Sequence, residues 1–135
     1  ALLAKEEVAA VFTPGDHGST FGGGPAICAA ALATIDALEA EHLGENAEGV
    51  GAYLRSGLST IADETGAFTD VRGRGLMIGV TLATPDAQRV AAESLSRGIV
   101  INAIGSSTLR FLPPLVCTVS EVDTLLNVLR EVTGE

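Results

Sequence analysis

Midway along the chain the hydrophobic pattern changes period, and that change limits the possible folds more than any other feature. Val50, Leu54, Leu58 and Ile61 recur at spacings of three and four, one apolar stripe of a helix over residues 46–63. Leu76, Ile78, Val80 and Leu82 then alternate with Met77, Gly79 and Thr81, the period of a strand with one buried face. A chain with both patterns must lay helices on a sheet.

The remaining elements fit that frame. Residues 68–71 read as a short strand. Thr84-Pro85-Asp86 reads as a helix start, with a hydroxyl N-cap and proline at the first position, and Arg97-Gly98 as its stop. Residues 99–103 and 109–112 read as strands joined through Gly105-Ser106-Ser107, with Pro113-Pro114 ending the second. Thr118-Val119-Ser120-Glu121 matches a capping box ahead of an amphipathic helix carrying Val122, Leu125, Leu126 and Leu129. Upstream, Ala1-Leu2-Leu3-Ala4 reads as a strand, residues 5–12 as a brief helix, Thr13-Pro14-Gly15-Asp16 as a turn, and residues 25–42 as an alanine-rich helix. The 46–63 stretch is a candidate continuation of that helix, kinked near Gly44. Within it Gly49 and Gly51 each weaken the helix by about 1 kcal/mol relative to alanine. The order predicts an α+β fold with helices covering a small, largely antiparallel sheet. A division near Gly44 separates residues 1–43 from a self-contained module at 44–135.

Charge and apolar content exclude several function classes. Seventeen acidic residues against eight basic ones, a net charge of -9 over 135 residues, repel nucleic acid and anionic membranes. The longest apolar run, near residues 25–33, is far short of the roughly 20 residues of a membrane span. No basic-then-apolar leader opens the chain, so a soluble, cytoplasmic protein is expected. Ala1 is not a start methionine, and the segment reads as a piece of a longer polypeptide. Cys28 and Cys117 form no C-x-x-C pair and read as reduced, packed thiols.

The stretch His17-Gly18-Ser19-Thr20-Phe21-Gly22-Gly23-Gly24-Pro25 has the composition of a phosphate grip. It brings two hydroxyls, glycines that admit a ligand close to the backbone, and a proline opening a helix whose N-terminus favours anions. Asp16, His17 and Ser19 are the residue types of a nucleophilic triad, but sequence neighbours rarely take triad geometry and G-x-S-x-G is absent. Gly73-Arg74-Gly75 with Gly79 has the wrong spacing for a dinucleotide fingerprint and reads as turn glycines. His17 and His42 lack a surrounding constellation for a metal, and His42 reads as solvated or capping. In Thr108-Leu109-Arg110-Phe111-Leu112-Pro113-Pro114 a guanidinium sits in an apolar strand, where burial would demand a partner. A structural ion pair and a ligand carboxylate are both open.

At these stretches the sequence resembles the class III aminotransferases, pyridoxal-phosphate enzymes of fold-type I. The likeness rests on the Ala4-Lys5-Glu6-Glu7-Val8 entry, the H-G-S-T-F-G-G grip, Arg72-Gly73-Arg74-Gly75-Leu76 and L-R-F-L-P-P-L, and spans essentially the whole chain. Gly24 stands where many relatives carry asparagine. The resemblance implies the end of a large domain with a connecting helix (1–43) and a small C-terminal domain (44–135). It implies that Thr20, supported by Ser19, holds the phosphate of pyridoxal phosphate in the neighbouring subunit of a homodimer. By the same likeness Arg110 binds the substrate α-carboxylate. Substrates would be an amino acid and a 2-oxoacid, with the nearest likeness to members acting on N-acetylornithine and 2-oxoglutarate. The family's Schiff-base lysine, the acid beneath the pyridine nitrogen and the aromatic over the ring lie upstream. Lys5, the only lysine here, matches none of them, so no catalytic residue is expected in the segment. A different class of reading is a non-catalytic α+β module that binds a phosphate, a carboxylate or a partner through the same grip and arginine.

Overall fold

The computed structural model describes residues 3–134. The chain divides into two compact units, Ala1–Glu41 and His42–Glu135.

The Ala1–Glu41 unit contains two helices, α1 (Glu6–Ala9) and α2 (Pro25–Ala40), joined by a long loop. The expected strand at the start falls partly on Ala1 and Leu2, outside the described residues; Leu3 and Ala4 have no regular structure. The expected helix over 5–12 shrinks to four residues. Val11 and Phe12 donate to the carbonyls three residues back, a tightened last turn, before Thr13-Pro14, whose geometry disfavours helix. Thr13 and Asp16 form the expected turn: Thr13 N and Oγ1 both donate to Asp16 Oδ2, at 2.7 and 3.0 Å. These bonds, the backbone one first, hold the Asp16 carboxyl below its ordinary value. Pro25 opens α2 at its first turn behind the N-cap Gly24. No residue of α1 or α2 is buried, so Cys28, expected to be packed, is exposed.

A break rather than a kink separates α2 from α3 (Leu43–Thr65). Glu41 caps α2, and His42 turns left-handed at φ 52, so Gly44 lies inside the first turn of α3 instead of at the bend. His42 occupies the N-cap position without a side-chain capping bond, and its ring is exposed.

In the His42–Glu135 unit a four-stranded antiparallel sheet has the order β1-β2-β4-β3, with β1 Phe68–Arg74, β2 Met77–Leu82, β3 Asn102–Ile104 and β4 Thr108–Phe111. Helices α3, α4 (Ala87–Ser96) and α5 (Val119–Thr133) share one hydrophobic core with one face of that sheet. The predicted α3 stripe is the buried one: Val50, Leu54, Leu58 and Ile61 meet Ile78, Val80, Leu82, Leu109 and Phe111 from the sheet and Val122, Leu126, Leu129 and Val132 from α5. The two-layer plan explains the alternation in β2 and β4, since antiparallel sheets keep one face dry and one open. Burying a leucine or isoleucine of this set contributes about 1.5–3 kcal/mol.

Several boundaries depart from expectation. Strand β1 runs three residues past Val71, so Arg72, Gly73 and Arg74 belong to the ladder and only Gly75-Leu76 turn, with Gly75 at φ 52. Asp86, not Thr84, is the α4 N-cap. Thr84-Pro85-Asp86 closes a turn of its own, with Asp86 N donating to Thr84 O at 2.9 Å, and the Asp86 carboxylate pairs with Arg89 instead of capping. The α4 stop at Arg97-Gly98 holds, with Gly98 at φ 85. The expected hairpin also forms, although β3 is shorter than predicted. In α5 the capping box is complete: Thr118 N donates to Glu121 Oε2 at 2.8 Å and Glu121 N to Thr118 Oγ1 at 3.3 Å. Among the described residues no helix is long and apolar enough to cross a membrane.

Candidate functional site

In the Ala1–Glu41 unit the grip is an exposed loop ending at the α2 N-terminus. Gly22 N donates to Ser19 Oγ at 3.1 Å, which closes the turn and leaves the Ser19 hydroxyl proton free to donate elsewhere. Thr20 is exposed, and its hydroxyl makes no hydrogen bond to a described residue. Gly24 caps without a side chain. The first intrahelical bond is Cys28 N to Gly24 O at 3.0 Å, so Ala26 and Ile27 keep the unpartnered N–H groups that open every helix. Two hydroxyl donors, two backbone donors and the positive end of a 16-residue helix suit a phosphate dianion. Asp16 and Ser19 are each engaged in separate turns, Asp16 with Thr13 and Ser19 with Gly22, so no triad is assembled.

In the His42–Glu135 unit Arg110 is exposed. Its neighbours Leu109 and Phe111 are buried, and in a strand adjacent side chains point to opposite faces, so Arg110 is carried to the open face of the sheet. There it makes no ion pair with a described residue. Every other arginine donates to a carboxylate or carbonyl: Arg55 to Gly75 O, Arg72 to Asp70, Arg74 to Glu48, Arg89 to Asp86, Arg97 to Glu131 and Arg130 to Glu64. Arg110 alone has no such partner among the described residues.

The strand register gives Arg110 its company. Gly79 lies opposite it on β2 and Asn102 opposite it on β3, while Arg72 on β1 lies opposite Gly79. The row across the open face is therefore Arg72, Gly79, Arg110, Asn102, at the usual strand spacing of about 4.8 Å. Arg72 Nη1 donates to Asp70 Oδ2 and, at 2.8 Å, to Thr81 Oγ1, which fixes its guanidinium. A Cβ built on Gly79 would lie 3.8 Å from Arg72 Cζ, so that guanidinium leans over the glycine. Sequence reasoning missed Arg72, Gly79 and Asn102 as neighbours of Arg110. Period-two counting could have put each on the open face, but only the register joins them in one row.

Lys5, the only lysine, sits exposed at the α1 N-cap. The grip's donors suit a phosphate, and the Arg110 guanidinium on the open face, unpaired among the described residues, suits a carboxylate.

Comparison with known proteins gives this geometry its family. Residues 1–133 match the model of the family described as Aminotransferase class-III. The chain is 39% identical over 135 residues to the acetylornithine aminotransferase of Caldanaerobacter subterraneus subsp. tengcongensis, covering 100% of the chain and 34% of that protein. It is 40% identical over 132 residues to ornithine aminotransferase 1 of Staphylococcus saprophyticus, covering 98% of the chain and 33% of that protein. The fold superposes on the crystal structure of acetylornithine aminotransferase from Elizabethkingia anophelis with a TM-score of 0.83 at 32% identity, covering 97% of this chain and 35% of that one. The chain therefore spans about a third of the length of the relatives it matches. The family match and the fold agree: this chain belongs to the class III aminotransferases.

Proposed function

We propose that the chain is the C-terminal part of a pyridoxal-phosphate-dependent aminotransferase that moves an amino group between N-acetylornithine and 2-oxoglutarate in arginine biosynthesis. Residues 1–43 would end the large domain and 44–135 form the small one. The parent would be a cytoplasmic homodimer whose cofactor sites are shared between subunits. The observation that carries the reading is the single family match running through both the grip and the Arg110 strand.

Bound pyridoxal phosphate supplies the electron sink that stabilises negative charge at the substrate Cα. The residues of this chain bind and orient. Thr20 donates its hydroxyl to the cofactor phosphate, with Ser19 and the N–H groups of Ala26 and Ile27 in support, where the α2 dipole favours a dianion. Arg110 receives the α-carboxylate through its planar fork, which fixes the substrate's orientation for proton transfer at Cα. That no described residue pairs with it supports this role, because no described carboxylate has to be displaced. The segment alone should be inactive, since its only lysine is Lys5.

The test is an assay of the full-length protein for glutamate formed from N-acetylornithine and 2-oxoglutarate. Turnover with N-acetylornithine preferred over ornithine is expected. Preference for ornithine would overturn the substrate, and binding of phosphate or carboxylates without turnover would overturn the enzyme in favour of a binding module.

A further inference from the structure

The open face of the sheet holds a second guanidinium whose placement an ion pair alone does not explain. Asp70 and Thr81 both engage Nη1 of Arg72, and together they lay the group over Gly79, toward the strand that carries Arg110. Nε and Nη2 make no hydrogen bond to a described residue. Gly79 is the one residue of the row without a side chain, and it stands between the two arginines. The backbone does not require a glycine there. The Cβ position meets nothing closer than 3.8 Å, ordinary van der Waals contact, and unlike Gly75 it has no positive φ. The glycine therefore preserves a gap rather than a backbone conformation, and a gap between two guanidiniums is a place for an anion.

We propose that Arg72 is a second substrate-binding arginine and Gly79 the floor of the carboxylate site, so that the substrate carboxylate lies over Gly79 between Arg110 and Arg72. This rests on the reading of Arg110 as the carboxylate ligand. A carboxylate offers about four lone-pair sites, of which a bidentate arginine takes two. Arg72, pinned in advance by Asp70 and Thr81, reaches a third without losing rotamer freedom on binding. Because amino donor and 2-oxoacid both bring a carboxylate to this place, both are affected alike.

In the full-length holoenzyme, Arg72→Gln should raise KM for the amino donor and for 2-oxoglutarate by about tenfold each, equivalent to about 1.4 kcal/mol. The calorimetric Kd of 2-oxoglutarate should rise with them, while kcat stays within about twofold and Arg72→Lys recovers part of the loss. Gly79→Val keeps strand propensity and fits at Cβ, but its methyls fill the gap. It should raise the same constants at unchanged Tm. Arg110→Gln is the benchmark. If it raises both KM values while Arg72→Gln and Gly79→Val do not, the inference fails and the Arg110 reading stands. If Arg110→Gln leaves them unchanged, that reading fails as well. A fall in Tm and kcat for Arg72→Gln with KM unmoved would make Arg72 structural and overturn the inference.

Discussion

Gly49 and Gly51 look equivalent in sequence, and the structure predicts that replacing each with alanine moves stability in opposite directions. Both lie inside α3. Gly49 is exposed, with nothing within 4 Å of an added Cβ, so Gly49→Ala gains only the helix-propensity difference, about 1 kcal/mol. Gly51 is buried against the β1–β2 turn, and its added Cβ would fall 2.0 Å from Gly75 O and 2.4 Å from Gly75 C. Comfortable contact is about 3.5–4.0 Å, so the methyl intrudes by about 1.5 Å or more into backbone that has no rotamer to yield. Overpacking of this kind costs about 1–3 kcal/mol, and a clash against main chain belongs at the upper end. Set against the same propensity gain, Gly51→Ala should destabilise by about 2 kcal/mol, leaving the two variants about 3 kcal/mol apart. Urea unfolding of the 135-residue chain measures this directly, provided the m-values match. For a unit of this size each kcal/mol corresponds to about 4–8 °C in Tm. The functional stake is that the Gly75 turn closes the hairpin bearing Arg72 and Gly79. Gly51→Ala as stable as the parent would refute the close approach of α3 to that turn.

Three smaller predictions follow from named contacts. Thr118→Ala removes the α5 capping box and should cost about 1–2 kcal/mol, read by chemical denaturation. The backbone bond from Thr118, and then its hydroxyl, hold the Glu121 carboxyl below its ordinary value of 4.5. A depressed carboxyl contributes stability that is complete above that value and is lost as pH falls through the lower folded one. Thr118→Ala removes the hydroxyl contribution and keeps the larger backbone one, so it should lose slightly less stability than the parent on acidification below pH 4.5, and a greater loss would count against the capping role. Incubating the 135-residue chain with pyridoxal phosphate and then borohydride should leave Lys5 without specific labelling by peptide mass spectrometry; stoichiometric cofactor on Lys5 would give the segment a catalytic amine of its own.

Much of this fold was legible because its signals are local. The α3 stripe, the β2 alternation and the Thr118-Glu121 box each depend on residues within a turn or two of one another, and each forms as read. Departures came where strand pairing or a competing contact decides. Arg72, Gly73 and Arg74 have weak strand propensity, yet pairing with Met77, Ile78 and Gly79 draws them into β1. Thr84 looks like an N-cap until Asp86 takes the position and turns its carboxylate to Arg89. Arg110 stands between apolar neighbours in sequence, and alternation assigns it the opposite face from Leu109 and Phe111. For the site, the grip and Arg110 are visible as motifs. Their company is not: Gly79 and Asn102 lie 31 and 8 positions from Arg110, and only strand register places them beside it.

The proposed function divides binding between two places in one chain, cofactor phosphate at Thr20 and substrate carboxylate at Arg110. Measuring cofactor Kd and substrate KM for Thr20→Ala and Arg110→Gln in the full-length protein tests it most directly. The expected result is a cofactor Kd raised about tenfold for Thr20→Ala with substrate KM little changed. For Arg110→Gln, both substrate KM values should rise about a hundredfold with cofactor Kd unchanged. The claim is contradicted if each variant leaves its own constant within about twofold of the parent, or if the two effects are exchanged.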